Sequence, residues 1–117
     1  MLPADRVQVS NDLADAFPVS VGHALIIPRR HVANFFDLTE DEVVAVYRLL
    51  RLMKDQLERR HNPRGFNVGA NVGEVAGQSV CHAHIHVIPR YRGDVDDPFG
   101  GIRNIISGKG RYLCDPR

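Results

Sequence analysis

The chain has 117 residues, 44% of them hydrophobic and 25% charged, and its formal net charge is +1. This composition is typical of a globular protein, and the length predicts one domain, residues 1–117, with a single modest core. The near-neutral charge argues against nucleic acid or a membrane surface as partners, because both select a strong positive field. No apolar stretch approaches the ~20 residues of a membrane span, and residues 1–6 lack the features of a signal peptide.

The sequence contains two cysteines, Cys81 and Cys114, which do not form a CxxC pair. Their number and separation predict no disulfide framework, so we expect a reducing, cytoplasmic location. Alternation within the chain places Cys81 among core residues, where it acts as a small apolar side chain rather than a nucleophile.

The first part of the chain predicts two short strands. Residues 6–10 form a candidate strand, and residues 11–21 are mixed in character. Ala24 to Ile27 is an apolar run closed by Pro28, which is typical of a buried strand.

The most regular pattern in the chain predicts a helix over residues 39–61. Thr39 followed by Glu42 is typical of a capping box, in which each residue satisfies a backbone N–H at the start of a helix. Asn62 and Pro63 end it. The apolar residues at helical spacing, which we expect to face the core, are Val43, Val46, Tyr47, Leu50, Met53 and Leu57.

The second half of the chain predicts an antiparallel pair of strands. Residues 66–72 form the first strand, a glycine-bounded loop follows over residues 73–77, and an alternating run of residues 78–88 forms the second. Residues 5–92 should therefore form the core of an α+β domain, an antiparallel sheet with one main helix. The tail, residues 93–117, is rich in Gly, Asp and Arg and predicts irregular structure.

Three histidines, His82, His84 and His86, stand at alternate positions of that run. On a continuous strand all three imidazoles would leave the same face, with apolar residues on the other. Imidazole changes charge near neutral pH and can act as acid, base, nucleophile or metal ligand. We therefore expect the reaction centre here.

Two chemistries are compatible with such a cluster. A three-histidine metal site is one, although no carboxylate cluster or CxxC pair accompanies it. Phosphate chemistry is the other, because the loop before the histidines carries Gly77, Gln78 and Ser79, which can offer backbone and side-chain donors to an anion. The central imidazole could then attack a phosphoryl group and form a phosphoramidate.

The motifs around the histidines resemble the histidine-triad (HIT) family. Residues 82–88 match its His-φ-His-φ-His-φ-φ signature, where φ is apolar, and residues 77–80 match its Gly-Gln-Ser/Thr-Val segment. Residues 71–73 resemble its Asn-x-Gly segment, and residues 18–31 resemble its glycine-histidine strand and the Pro-basic-basic-His that follows. The resemblance covers about residues 5–92.

The resemblance implies an α+β nucleotide-binding fold whose sheet extends across a homodimer, and reaction at the α-phosphate of a purine nucleoside phosphate derivative. It implies that His84 is the nucleophile, that His82 and His86 bind and polarise the phosphate, and that His23 supports them. The substrate-binding residues that it implies are Gln78, Ser79 and Asn71 at the phosphates and Asp15 at the ribose.

Residues 89–94, directly after the histidines, resemble the branch of the family that cleaves dinucleoside polyphosphates of the diadenosine tetraphosphate type. The branch that cleaves phosphoramidates ends in a tryptophan-containing tail, whereas this chain has no tryptophan. Nucleoside phosphoramidate hydrolysis, or nucleotide binding with little turnover, are the alternatives. No protein-bound cofactor or metal is implied, because the cysteine pair of zinc-binding members is absent; Mg²⁺ would accompany a polyphosphate substrate. Four basic residues could assist a long anionic substrate: Arg90, Arg92, Arg103 and Lys109.

Overall fold

A computed structural model describes residues 6–10 and 17–111. Its centre is one antiparallel sheet in the order β1-β2-β4-β3, with a single long helix, α1. This confirms the predicted α+β class and the antiparallel pairing of the last two strands. The elements are β1 (Val7–Ser10), β2 (Ala24–Pro28), α1 (Glu40–His61), β3 (Gly65–Gly69) and β4 (Ile85–Arg90).

Helix α1 begins and ends as the sequence predicts. The Thr39 hydroxyl accepts a hydrogen bond from the backbone N–H of Glu42, and the Glu42 carboxylate accepts one from the backbone N–H of Thr39. Asn62 closes the helix in the left-handed conformation, with φ of 51°. Within the described residues no helix is long and apolar enough to cross a membrane.

The buried face of α1 differs from the predicted one at two positions. Val43 and Tyr47 are 41% and 58% exposed, so placing them in the core was wrong. Each follows a buried residue, Glu42 or Val46, and one residue turns the helix by about 100°. The core joins α1 to one face of the sheet through Val7, Ala24, Ile26, Ala45, Val46, Met53, Ile85 and Val87.

An ion pair joins the end of β2 to the start of α1. The Arg30 guanidinium donates to both carboxylate oxygens of Glu42, at 2.8 and 3.3 Å. The Glu42 side chain is only 4% exposed. The hydrogen bond from Arg30 holds the pKa of Glu42 below its usual range, so a charged carboxylate is tolerated at the edge of the core.

The strands around the histidines are shorter than predicted. Strand β3 ends at Gly69 rather than at residue 72, and β4 begins only at Ile85. Between them the chain turns through Gly73 and Gly77, whose φ values of 89° and 94° are incompatible with a strand. Residues 78–84 form no strand, and the backbone N–H of Ala83 donates instead to the carbonyl of Val32, in the segment after β2, at 2.9 Å. His82 and His84 therefore precede the strand, and the expectation of three imidazoles on one strand face was wrong.

Cys81 lies in the same irregular segment and is exposed, so placing it in the core was wrong. In the tail, residues 93–111 contain a short 3₁₀ turn, Gly101–Ile105, and no strand. The mixed segment with Asp15 falls largely on residues 11–16 and lies, like Cys114, outside the described residues.

Candidate functional site

His86 lies on the face of the sheet that points away from α1. In the sheet register His86 pairs with Leu25 of β2 on one side and with Gly69 of β3 on the other. Residues directly opposite in an antiparallel pair share a face. The core face carries Ala24 and Val87, so His86 and its two partners face the opposite side.

His23 reaches His86 from the residue before β2. The Nε2 atom of His23 lies 3.0 Å from Nδ1 of His86, and the two ring centroids are 5.2 Å apart. His84, the last residue before β4, places its ring edge-on to His86 with centroids 5.1 Å apart. The structure therefore brings together three of the four predicted catalytic histidines.

The turn that delivers His23 is held by the C-terminal end of β4. The Ser20 hydroxyl donates to the carbonyl of Pro89 at 2.7 Å, and the Tyr91 hydroxyl donates to the carbonyl of Val21 at 2.6 Å. Gly22 has φ of 91°, and a Cβ there would lie 3.0 Å from a methyl group of Leu57. The chain can therefore pass over α1 at this point only with glycine.

The hydrogen bonds define the tautomers of the neutral imidazoles. The backbone N–H of Val19 donates to Nδ1 of His23 at 3.2 Å, so the proton of His23 is on Nε2. That Nε2–H donates to Nδ1 of His86. His86 must then carry its own proton on Nε2, the nitrogen that remains for a ligand.

His84 has the opposite tautomer. Its Nδ1 lies 2.8 Å from the backbone carbonyl of His82, which can only accept, so Nδ1 carries the proton. In a neutral His84, Nε2 therefore carries no proton and has a free lone pair. This is the arrangement that a nucleophilic imidazole needs.

Burial favours the neutral forms of two of these rings. It lowers the pKa of His23. Burial also lowers the pKa of His86, and the neighbouring charges of His84 and His23 lower it further. Both groups are therefore uncharged at neutral pH, and the chain of hydrogen bonds that their tautomers require is intact.

His82 points elsewhere. Its Nε2 lies 3.1 Å from the carbonyl of Pro28, and its Nδ1 lies 3.3 Å from Nδ1 of His31. The rings of His31 and His82 meet edge to face, with centroids 4.7 Å apart. His82 therefore braces the end of β2, and its carbonyl rather than its ring orients His84. Sequence reasoning assigned no role to His31, although its position after Pro-Arg-Arg matched the family motif.

Gln78 uses its whole side chain within the protein. Its Oε1 accepts from the backbone N–H of Gly73 at 2.9 Å, and its Nε2 donates to the carbonyls of Ala33 and Val80 at 2.6 and 3.0 Å. It ties the loop before the histidines to the segment after β2. The direct contact of the Gln78 amide with phosphate stays a prediction, and these bonds give the side chain a positioning role.

Beside Gln78 lies an open cavity of about 590 Å³. Ser79 lines it, and both Ser79 and Asn71 are exposed, as groups that meet a ligand must be. The cavity is lined by Ala33, Glu74, Gly77, Gln78, Ser79 and Cys81. It abuts the loop that leads into the histidines, where room for an anionic ligand is expected.

Among residues 6–10 and 17–111, no group of three or more histidine, cysteine, aspartate or glutamate side chains is arranged to hold a metal ion. The histidines meet in pairs instead: His23 with His86, whose ring nitrogens are 3.0 Å apart, and His31 with His82, at 3.3 Å. His82 and His84 do not converge, because His82 turns toward His31 and His84 toward His86.

A model of the HIT domain family matches residues 8–93. The match covers most of the chain and includes His23 and the three histidines around β4. The chain therefore belongs to the HIT family, as its motifs predict.

Individual relatives agree with this assignment. The chain is 43% identical over 77 residues to an uncharacterised 16.1 kDa HIT-like protein of Mycoplasma pneumoniae, covering 66% of this chain and 54% of that protein. It is 33% identical over 123 residues to the asymmetrical bis(5'-nucleosyl)-tetraphosphatase of Schizosaccharomyces pombe, covering 96% and 68% of the two chains. The chain thus spans about half the length of the first of these relatives.

Solved structures show the same fold. A crystal structure of a HIT family protein from Bacillus anthracis superimposes with a TM-score of 0.69 at 34% identity. The superposition covers 77% of this chain and 62% of that one. At this identity the likeness supports common ancestry as well as a common fold.

Proposed function

We propose that this chain binds a purine nucleotide derivative and cleaves it at the α-phosphate through a covalent nucleotidyl-His84 intermediate. The observation that carries the proposal is the hydrogen bond from Nδ1 of His84 to the carbonyl of His82, at 2.8 Å. It leaves Nε2 as the free lone pair. A dinucleoside polyphosphate of the diadenosine tetraphosphate type is the proposed substrate.

The first step forms a nitrogen–phosphorus bond. The lone pair on Nε2 of His84 attacks the α-phosphorus, and the bond from that phosphorus to the bridging oxygen breaks. The electron pair departs with the oxygen of the leaving phosphate. The hydrogen bond to the His82 carbonyl stabilises the positive charge that develops on the His84 ring.

The second step returns the enzyme to its starting state. A water oxygen attacks the same phosphorus, the nitrogen–phosphorus bond breaks, and its electron pair returns to Nε2 of His84. The water proton leaves to solvent, and a nucleoside monophosphate is released. The Nε2–H of His86 donates to a phosphate oxygen in both steps, and His23 holds that proton in place.

Two findings support a polyphosphate substrate. The yeast tetraphosphatase aligns with 96% of this chain, and the sequence after β4 resembles the branch that cleaves dinucleoside polyphosphates. The protein groups that perform the two steps are imidazoles and backbone carbonyls. We therefore propose that no protein-bound cofactor is needed and that Mg²⁺ enters, if at all, with the polyphosphate.

We also propose that the chain acts as a homodimer, as the family resemblance implies. Strand β3 lies at the edge of the sheet, and its Val68 side chain is 42% exposed. Exposed apolar residues on α1, among them Val44 and Tyr47, offer a second contact surface. An uncovered edge strand offers its free backbone groups to a strand of another chain. Sedimentation equilibrium tests the proposal, and a monomer at micromolar concentration would refute it.

The direct test is release of nucleoside monophosphate from two substrates, diadenosine tetraphosphate and adenosine 5'-phosphoramidate. We expect the wild type to release AMP and the His84→Ala variant to release none while remaining folded. Lys54→Ala is the control, because Lys54 is exposed on α1, on the opposite side of the sheet from His86, and it should keep full activity.

Other results of this assay would favour one of the alternative functions. Turnover of the phosphoramidate alone identifies a phosphoramidate hydrolase. Nucleotide binding in calorimetry without turnover of either substrate identifies a binding module. Undiminished AMP release by His84→Ala would refute the covalent mechanism.

A further inference from the structure

We propose that the segment Asp97–Arg111, the C-terminal loop, is the binding surface for the leaving group of the substrate. Lys109 and Arg103 would bind the phosphates beyond the α-phosphate. This inference rests on the proposed function, because a leaving group exists only if the chain cleaves a nucleotide derivative. The sequence pointed to these two cations together with Arg90 and Arg92, and the structure places Arg103 and Lys109 on this one loop.

The C-terminal loop is closed on itself by polar contacts. The Arg111 guanidinium pairs with the Asp97 carboxylate at 2.9 Å and lies 4.4 Å from the centre of the Phe99 ring. The Nε–H of Arg103 donates to the carbonyl of Lys109 at 3.0 Å. Compact loops whose ends meet in this way hold a defined surface without forming a helix or strand.

Glycine makes the closure possible. Gly100 has φ of 87°, and a Cβ there would overlap the backbone of Gly110. Gly110 is buried, and a Cβ on it would overlap the amide side chain of Asn104. The two ends of the loop therefore cross at a contact that only these two glycines allow. This close contact fixes the positions of Arg103 and Lys109.

The loop rests on the same sheet face as His86. A Cβ on Gly101 would lie 3.6 Å from Nδ2 of Asn67, and a Cβ on Gly69 would lie 4.0 Å from Cδ1 of Ile102. Asn67 and Gly69 share one face of β3, and Gly69 is paired with His86. Neighbouring strands are about 4.8 Å apart, so the loop borders the row of the sheet that contains the phosphate donor.

The chemistry of the loop matches a nucleoside polyphosphate. The loop carries three cations, Arg103, Lys109 and Arg111, and one carboxylate, Asp97, which is paired with Arg111. Both Arg103 and Lys109 are exposed. The loop also exposes three apolar side chains, which suit the base of a leaving nucleotide: Ile102, Ile105 and Ile106 are 65%, 80% and 61% exposed.

Arg90, another basic candidate from the sequence, hydrogen-bonds to groups of the protein itself. Arg90 donates to both carboxylate oxygens of Asp94, at 2.7 and 2.9 Å, and to Oδ1 of Asn67 at 2.6 Å. Its role is to join β4, β3 and the turn that follows β4. The C-terminal loop borders the Gly69 side of His86, and we assign that side to the leaving group.

The test compares substrates that differ only in the leaving group. Diadenosine tetraphosphate loses a long polyanion, whereas adenosine 5'-phosphoramidate loses ammonia. We expect Lys109→Ala to raise KM for the tetraphosphate about tenfold, the effect of losing one charge-assisted hydrogen bond. Its kcat/KM for the phosphoramidate should equal that of the wild type. Lys54→Ala removes a cation from α1 on the opposite side of the sheet and should change neither value.

Two variants of Arg103 distinguish the effect of its charge on substrate binding from its effect on the conformation of the loop. Arg103→Gln should raise KM for the tetraphosphate, and Arg103→Lys should restore most of the loss because it retains the charge. A parallel fall for both substrates would overturn the inference, because it would show that the loop only supports the fold. An unchanged KM in Lys109→Ala would overturn it as well.

Failure of the proposed function can be recognised separately. If the wild type cleaves neither substrate, calorimetry with inorganic tripolyphosphate still measures whether the loop binds an anion. Weaker binding by Lys109→Ala than by Lys54→Ala then supports a polyphosphate site on the loop. Equal binding by the two variants, or no binding by the wild type, overturns it.

Discussion

The Nε2 atom of His23 lies 3.0 Å from Nδ1 of His86, and this contact joins residues that are 63 positions apart in the sequence. The backbone N–H of Val19 fixes the tautomer of His23, and His23 in turn fixes that of His86. The proton that His86 presents to a ligand is therefore determined by the turn before β2.

The first prediction concerns His23 itself. In His23→Ala, His86 loses its only partner for Nδ1 among the described contacts and can adopt the wrong tautomer. We expect kcat/KM to fall about tenfold, which corresponds to one hydrogen bond. His23→Gln should recover part of the loss, because its amide can donate at a similar position. Steady-state kinetics checks this, and equal activity of His23→Ala and wild type would contradict the assigned role.

A second prediction follows from the lowered pKa values of His23 and His86. At pH below about 6.5 the unfolded chain binds protons at these two histidines while the folded protein resists them. The free energy of unfolding should therefore fall as pH decreases from 6.5 toward the folded pKa values. Above pH 7 the two histidines are neutral in both the folded and the unfolded protein, so their contribution to the free energy of unfolding is constant.

Urea denaturation at pH 7.5 and 5.5 measures this effect. The double variant His23→Gln/His86→Gln should show a smaller loss of stability between the two pH values than the wild type. Lys54→Ala, which changes an exposed cation of α1, serves as the control and should keep the full pH dependence. The same slope in wild type and double variant would show that other groups cause it.

Gln78 provides a third prediction. Gln78→Glu keeps the acceptor for Gly73 but loses the Nε2 donor to Ala33 and Val80. We expect a loss of kcat/KM of about tenfold or more, from the loss of two hydrogen bonds and the placement of a carboxylate beside two carbonyl oxygens. Hydrogen exchange should show faster exchange in the loop. Unchanged exchange with lowered activity would instead favour direct contact with phosphate.

The Arg30–Glu42 pair gives a fourth prediction, on stability. Arg30→Ala leaves the buried Glu42 carboxylate without its main partner, whereas Lys54→Ala breaks the exposed pair with Glu58. Exposed pairs contribute little, so the melting temperature should fall by several degrees in Arg30→Ala and hardly at all in Lys54→Ala. In the wild type the stabilisation by Glu42 should disappear as pH falls below the usual carboxylate range, because its pKa is lowered in the folded state. Equal melting temperatures in the two variants would contradict the importance of the buried pair.

The sequence predicted those elements whose ends are set by neighbouring residues. The capping box at Thr39 and Glu42 defined the start of α1, and the apolar run closed by Pro28 defined β2. The family motif also named His23, which chain periodicity alone would not have linked to His86.

The geometry of the histidines could not be read from the sequence in the same way. Alternation indicates one strand face only where a strand exists, and residues 78–84 form none: Ala83 and His82 bond instead to the end of β2 and the segment after it. The positions of His82 and Gln78 depend on contacts with Pro28, His31 and Ala33, which are distant in sequence. Such contacts arise from tertiary packing and leave no local pattern.

The central claim is that His84 is the nucleophile and reacts through Nε2. The most direct measurement is intact-mass analysis of the protein quenched within the first turnover of diadenosine tetraphosphate, followed by phosphorus NMR of the adduct. We predict one added nucleotidyl group, on Nε2 of His84, and none in His84→Asn. An adduct on another residue, or AMP release in a single turnover with no adduct at any time, would contradict the account.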